Sequence, residues 1–194
     1  MQNFTFNERS HEYALDGRKM ESITQVLQAE GFIPESEIID PYFLARGTAV
    51  HDAVELHLLG KLNRDLLKQP GMLDLTGYVD SAIKYLEYFK IEIKPEEVEV
   101  KLYDPVYFYA GRLDTLHCDW KSGGPSRWHV YQIAAQRNLA KVNKYPDGPR
   151  RTVYLQEDGS MAKFKEYSLN ELRRALDTFL CAVNVMRAKR EMGV

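Results

Sequence analysis

The chain has 194 residues, 44% apolar and 28% charged, a balance that predicts a single domain over 1–194 and excludes disordered, collagen-like and disulfide-scaffold chains. Two cysteines, Cys118 and Cys181, are too few for a disulfide framework or an iron–sulfur cluster. No apolar run reaches the ~18 residues of a membrane span, and no basic-then-apolar leader opens the chain, so an intracellular, cytoplasmic protein is expected. The net charge of −2 is unevenly spread, with −9 over residues 1–120 and +7 over 121–194. An acidic part suited to cations is thus joined to a basic part suited to phosphates, although solvated surface charge would produce the same count.

Phe4-Thr5-Phe6 and Tyr13-Ala14-Leu15, closed by Asp16-Gly17, predict an N-terminal β-hairpin. Ser22 is a candidate N-cap for a helix over 23–29, ended by Gly31. A longer helix over 41–59 follows, with Phe43, Gly47, Val50, Val54 and Leu58 on one stripe and Gly60 at its end. Residues 75–89 predict a third helix, with Tyr78, Ala82, Tyr85 or Leu86, and Phe89 on one face. After Pro95 the period changes. Val98, Val100 and Leu102 alternate with charged residues as in a half-buried strand, Asp104-Pro105 turns, 106–113 returns, and 118–121 forms a short third strand. A loop over 122–126 leads to a helix over 128–142, then a Lys/Pro/Gly-rich loop over 143–149. Strands over 152–155 and 162–167 flank the turn Glu157-Asp158-Gly159-Ser160, and Ser168 caps a final helix to about residue 190. Leu172, Leu176, Phe179, Val183 and Met186 would face inward. This order predicts an α/β or α+β mixed sheet flanked by helices.

Four segments carry chemistry. Asp114 ends the otherwise apolar strand that contains Gly111-Arg112-Leu113. In Asp119-Trp120-Lys121 the acid and the lysine are two apart on a strand, so they share a face while Trp120 points away. Carboxylates are hard oxygen ligands suited to Mg²⁺ or Mn²⁺, and a neighbouring lysine can orient or deprotonate an attacking water or stabilise an anionic transition state. On the second long helix His51 and Glu55 are four apart and border the apolar stripe. Gln132 follows early in the helix after Asp-x-Lys, where its amide can bond a phosphate, a base or the lysine.

From Glu12 to Ala140 these residues resemble the PD-(D/E)XK nuclease superfamily, in particular its RecB-like and phage-exonuclease branch. Glu12 through Gly17 and Ser22 through Leu27 resemble its N-terminal lead-in. Gly47 to Glu55 matches its G-x-x-x-H-x-x-x-E helix, and Glu99 resembles the glutamate of its first core strand. Gly111-Arg112-Leu113-Asp114 and Asp119-Trp120-Lys121-Ser122-Gly123 match its second and third motifs. Gln132-Ile133-Ala134-Ala135 matches a helix pattern that normally reads Q-x-x-x-Y, with Gln136 where the family has Tyr. The resemblance implies a restriction-endonuclease-like αβββαβ core, with an N-terminal hairpin and helix over 1–30, a catalytic core over 41–142, and a basic hairpin and C-terminal helix over 143–194. It implies that Asp114 and Asp119 ligate Mg²⁺ or Mn²⁺ together with His51 and the Trp120 carbonyl, that Lys121 is the catalytic lysine, and that Gln132 positions lysine or substrate.

The implied activity is metal-dependent hydrolysis of DNA, as a phage-type exonuclease acting on duplex ends or single strands in recombination or repair. A single-strand annealing or recombination protein would be its partner. The alternatives are an endonuclease or flap nuclease of the same chemistry, and a non-catalytic DNA-binding module that kept the fold. Arg127 and Trp128 follow the Asp-x-Lys strand, where Trp128 would stack on a base or enter the core. Arg150-Arg151, Lys163, Lys165 and Arg173-Arg174 are candidates for a phosphate-tracking surface, or a solvated face. Only four residues separate Asp114 from Asp119, and Leu116-His117 lacks the Gly, Asn or Asp of a tight hairpin turn. That predicts a hairpin tip absent from the chain near His117–Cys118.

Overall fold

The computed structural model describes residues 3–34, 41–148 and 150–193. In chain order these form β1 (Phe4–Asn7), β2 (Glu12–Leu15), β3 (Arg18–Ser22), α1 (Ile23–Ala29), α2 (Pro41–Leu58) and α3 (Thr76–Phe89). Then come β4 (Val98–Asp104), β5 (Tyr109–Thr115), β6 (Cys118–Lys121), α4 (His129–Val142), β7 (Arg151–Tyr154), β8 (Lys163–Glu166) and α5 (Leu169–Met192). The result is a curled mixed sheet flanked by helices, in two ladders ordered β1-β2-β3-β5-β4 and β6-β7-β8.

The first hairpin pairs Phe4 with Leu15. The sequence reading missed β3, which continues the meander and then runs parallel to β5 through Glu21–Tyr109 and Ser22–Ala110. Arg18-Lys19-Met20-Glu21 has only one apolar residue, so alternation alone does not mark it as a strand. The Asp16-Gly17 turn joins it to β2, and its second partner, β5, lies 88 residues further on. Ser22 ends β3 and starts α1 in one step. Its hydroxyl accepts from the Gln25 N–H at 3.1 Å while Gln25 Oε1 accepts from the Ser22 N–H at 2.8 Å, a reciprocal cap.

Two large apolar cores result, beside smaller clusters around Leu172 and Met20. One joins α2, α3, β6 and β7 through Val50, Val54, Tyr78, Tyr85, Trp120 and Val153. The other joins α1, β4, β5, α4 and α5 through Leu27, Tyr109, Leu113, Leu139, Phe179 and Val183. The expected inward stripe of α2 holds at Val50 and Val54 but not at Phe43, which is 51% exposed beneath the Arg46 guanidinium. Among the described residues nothing covers that first turn, so periodicity there has nothing to bury against. The turn at 105–108 is longer than expected, and the return strand starts at Tyr109 rather than Val106. Asp104 Oδ1 accepts from the N–H groups of Val106 and Tyr107 and holds the chain in the turn. The predicted loop over 143–149 is described as far as 148, residue 149 lying outside the described residues. Gly77 sets how closely α3 approaches the β7–β8 turn: a Cβ there would lie 1.6 Å from the Glu157 carbonyl oxygen.

The bend from β5 to β6 closes without the missing tip. Thr115 Oγ1 accepts from the N–H groups of His117 and Cys118 at 3.2 and 2.8 Å and donates to the Cys118 carbonyl at 3.1 Å. A threonine side chain replaces the turn residue that Leu116-His117 lacks, and no further residues are needed to bring β6 beside Asp114. Among the described residues no ladder joins β5 to β6. Instead β6 pairs in parallel with β7, from Cys118–Arg151 to Lys121–Tyr154.

Candidate active site

The chemistry-bearing side chains meet on the seam between the two cores. Strand β5, in the second core, carries Asp114 next to its last residue, and Asp114 Oδ2 accepts from the Trp120 N–H at 2.8 Å. Its Oδ1 lies 3.3 Å from His51 Nδ1 on α2, in the first core. On β6 the alternation of the strand buries Trp120 against Tyr85 and turns Asp119 and Lys121 together to the other face. Lys121 Nζ is 2.8 Å from Asp119 Oδ2 and donates to Gln132 Oε1 on α4 at 2.9 Å. It also stands 5.4 Å from the centroid of the Trp128 ring. The adjoining cleft, about 250 Å³, is lined by His51, Asp114, Gln132 and Gln136, with Tyr13 and Ser22 from the N-terminal meander.

Two residues that hold this arrangement escaped the sequence reading. Gln136, where the resembled family has Tyr, is buried and donates through Nε2 to Asp119 Oδ1 at 2.9 Å. Its Oε1 accepts from Arg150 Nε at 3.1 Å, and Arg150 Nη1 donates to the Thr115 carbonyl at 2.5 Å. Arg150 is therefore no part of a DNA-facing surface: it is 3% exposed, and its charge lies under the two aspartates. Arg151 is also withdrawn, paired with Glu166 and stacked over Phe89. Local sequence carries no signal for Arg150, because a dibasic pair after a Pro/Gly loop looks solvated. The positions Gln132 and Gln136, four apart on one helix face, carried a usable one.

The electrostatics follow from this burial. Desolvation works against the charged form of Asp114, but His51, Lys121 and the Trp120 N–H outweigh it and hold the carboxyl at about 2. Burial likewise opposes charge on His51, and the facing Asp114 overcomes it and raises the imidazole above its usual value. Glu99 behaves in the opposite way. Burial, reinforced by Asp114 and Glu55 and only partly offset by Arg112, pushes its carboxyl up to about 7. Its Oε2 lies 2.6 Å from Arg112 Nε, and its φ of 53° is a left-handed value inside a strand. The neighbouring pairs Val98–Thr115 and Val100–Leu113 set Glu99 opposite Asp114.

The structure thus gathers Asp114, Asp119, Lys121, His51 and Gln132, with Trp128 beside the lysine and Glu99 and Glu55 within electrostatic reach. Arg127 is exposed and lines a different cavity. Among the described residues no three His, Cys, Asp or Glu side chains are drawn into a ready cation cage; the carboxylates are paired one by one with His51 and Lys121. Their chemistry suits a hard divalent ion, with carboxylate and carbonyl oxygens and one imidazole. Asp119 Oδ2 is buried with the Lys121 ammonium as its neighbour.

No family model matches the chain, and no curated protein matches it. Among solved structures, a candidate exonuclease from Eubacterium rectale superposes with a TM-score of 0.55 over 75% of this chain and 68% of that one, at 14% identity. At that identity the likeness is one of fold.

Proposed function

We propose that this chain is a Mg²⁺- or Mn²⁺-dependent DNA nuclease with a restriction-endonuclease-like core, of exonuclease type and acting in phage-style recombination or repair. The reading rests on one observation above the others: Asp114, Asp119 and Lys121, from two strands that share no ladder, come together beside the cleft that Asp114, Gln132 and His51 line. Likeness of fold to a candidate exonuclease supports it.

Asp114, Asp119, His51 and the Trp120 carbonyl would hold the divalent ion, which when bound lowers the pKa of water and polarises the phosphate. The protein's own contribution is positional. A lysine ammonium has three donors. Asp119 Oδ2 and Gln132 Oε1 engage Lys121 Nζ, and the remaining N–H is left for a phosphate oxygen or the attacking water. Gln136 and Arg150 keep Asp119 from turning away, and the Trp120 N–H does the same for Asp114. Because these groups are already oriented, little reorganisation is needed as charge grows on the phosphate.

The test uses end-labelled linear duplex and single strand with Mg²⁺. Wild type is expected to cleave, and Lys121→Ala and Asp119→Ala to lose cleavage, with Lys121→Ala still binding DNA. Undiminished cleavage by either variant would overturn the assignment. Linear DNA degraded while covalently closed circles persist supports the exonuclease form, and cut circles the endonuclease form. A metal-stripped preparation that gains no activity with Mn²⁺ would point to the non-catalytic module.

A further inference from the structure

On the far side of the first turn of α4 lies a second cavity, about 310 Å³, at the lower end of what a small organic ligand fills. Arg127, Lys165 and Arg174 line it, with Tyr131 and Tyr167 among its walls. Its charge is only partly offset. Glu171, the carboxylate of the lining, takes one unit from the balance and also caps α5, accepting from Ser168 N–H and Oγ at 2.8 and 2.7 Å. Arg127 and Arg174 are exposed, and among the described residues neither guanidinium has a carboxylate partner, whereas Lys19, Arg64, Lys101, Arg137 and Arg190 each do. Three cations around one acid leave the pocket net positive, within the part of the chain that carries the positive excess.

Its position relates it to the cleft. Trp128, just before α4, and Gln132, in its first turn, touch Lys121, and each is adjacent in sequence to a residue that lines the cavity, Arg127 and Tyr131. Neighbours on a helix point about 100° apart, so Gln132 presents to the lysine while Tyr131 presents to the cavity. Phe32 packs on Tyr131 at 4.8 Å between ring centroids and fixes that wall. Lys165 Nζ stands 5.0 Å over the Tyr167 ring, leaving an ammonium above an aromatic floor.

From this geometry we infer that the Arg127–Lys165–Arg174 cavity seats the sugar-phosphate backbone of the DNA strand next to the scissile position. The inference rests on the nuclease reading of the cleft and extends it to the substrate's path. Cations take the phosphate, and the tyrosines with Val130 and Ala175 face the sugar. Of the basic residues singled out in the sequence, the fold brings Arg127, Lys165 and Arg174 to this one cavity.

The experiment measures binding of a fluorescein-labelled 20-base-pair duplex in EDTA, from 50 to 200 mM salt, so that binding is read without cleavage. The proteins are wild type, Arg127→Gln/Arg174→Gln, and Lys61→Gln/Lys90→Gln, which removes two exposed cations elsewhere. Arg127→Gln/Arg174→Gln is expected to bind at least ten-fold more weakly at low salt, with the slope of log K against log salt smaller by about 0.9 for each lost contact. Its melting temperature should be unchanged, and in a separate cleavage assay with Mg²⁺ its KM should be raised. Binding equal to wild type, or an equal loss in Lys61→Gln/Lys90→Gln, overturns the inference and leaves the nuclease reading standing. Wild type that binds DNA but cleaves none with either metal overturns the nuclease reading, while the variant still decides the cavity.

Discussion

Lys121 and Asp119 meet at 2.8 Å with the carboxylate 1% exposed; Lys68 and Asp74 meet at 3.1 Å with both side chains largely in solvent. The contacts are alike and their consequences are not. On the outer surface water screens each pair, and breaking one returns two hydrated ions. On the seam between the cores Asp114, Asp119, Lys121, Arg150 and His51 hold one another's charges where water cannot, and removing one leaves a buried ion alone. Several polar links of the cleft also tie one core to the other: β5 to α2, β6 to α4, and Arg150 to both α4 and β5. The seam is at once the reactive part of the molecule and its fastener.

The sharpest way to break that contrast is Arg150→Ala. It strands Gln136 Oε1 and the Thr115 carbonyl and removes the charge beneath two aspartates. Stability is expected to fall by about 3–5 kcal/mol, a drop in melting temperature of at least roughly 6 °C for a chain of this size; calorimetry measures it. Lys121→Ala should act on both rate and fold, with kcat down by about 10²–10³-fold, as for loss of one oriented donor, and a lowered melting temperature, because the buried Asp119 carboxylate loses its ammonium.

The pH dependence sharpens it further. Burial, helped by Lys121 and opposed by Asp119, holds the His129 imidazole down at about 4, and its Nδ1 accepts from the Ser126 N–H and contacts the Tyr154 hydroxyl. The unfolded chain takes up that proton near 6.5 and the folded one only near 4. Stability is therefore fully present above pH 6.5 and declines as pH falls to 4, by up to about 3 kcal/mol. In denaturant titrations across that window, His129→Gln should flatten the decline. The Asp114 carboxyl, held at about 2, adds a separate loss only between its ordinary value and pH 2. Gln136→Leu leaves Asp119 Oδ1 and Arg150 Nε each without this amide, with an expected cost of about 1–3 kcal/mol. At the small end, Lys68→Ala should leave the melting temperature where it was.

Legibility in the sequence followed the same division. The helix over 23–29 was readable to the residue, because Ser22 and Gln25 cap it within four positions and Gly31 stops it. Strand 118–121 was readable too, and so was the side that Asp119 and Lys121 share, since a pleat turns alternate residues to one face. Strand β3 was marked only by the Asp16-Gly17 turn that joins it to β2, and the exposure of Phe43 and the burial of Arg150 were not readable, for both depend on what arrives from far along the chain.

Short-range hydrogen bonding and periodicity are properties of a few consecutive residues, so the order of elements, the caps and the candidate acids and lysine were set by the sequence alone. Which charges lie beneath those acids was decided by tertiary structure. Burial of a guanidinium is stable only once its partners on β5 and α4 are in place, and no local pattern records a partner that folding brings from another strand.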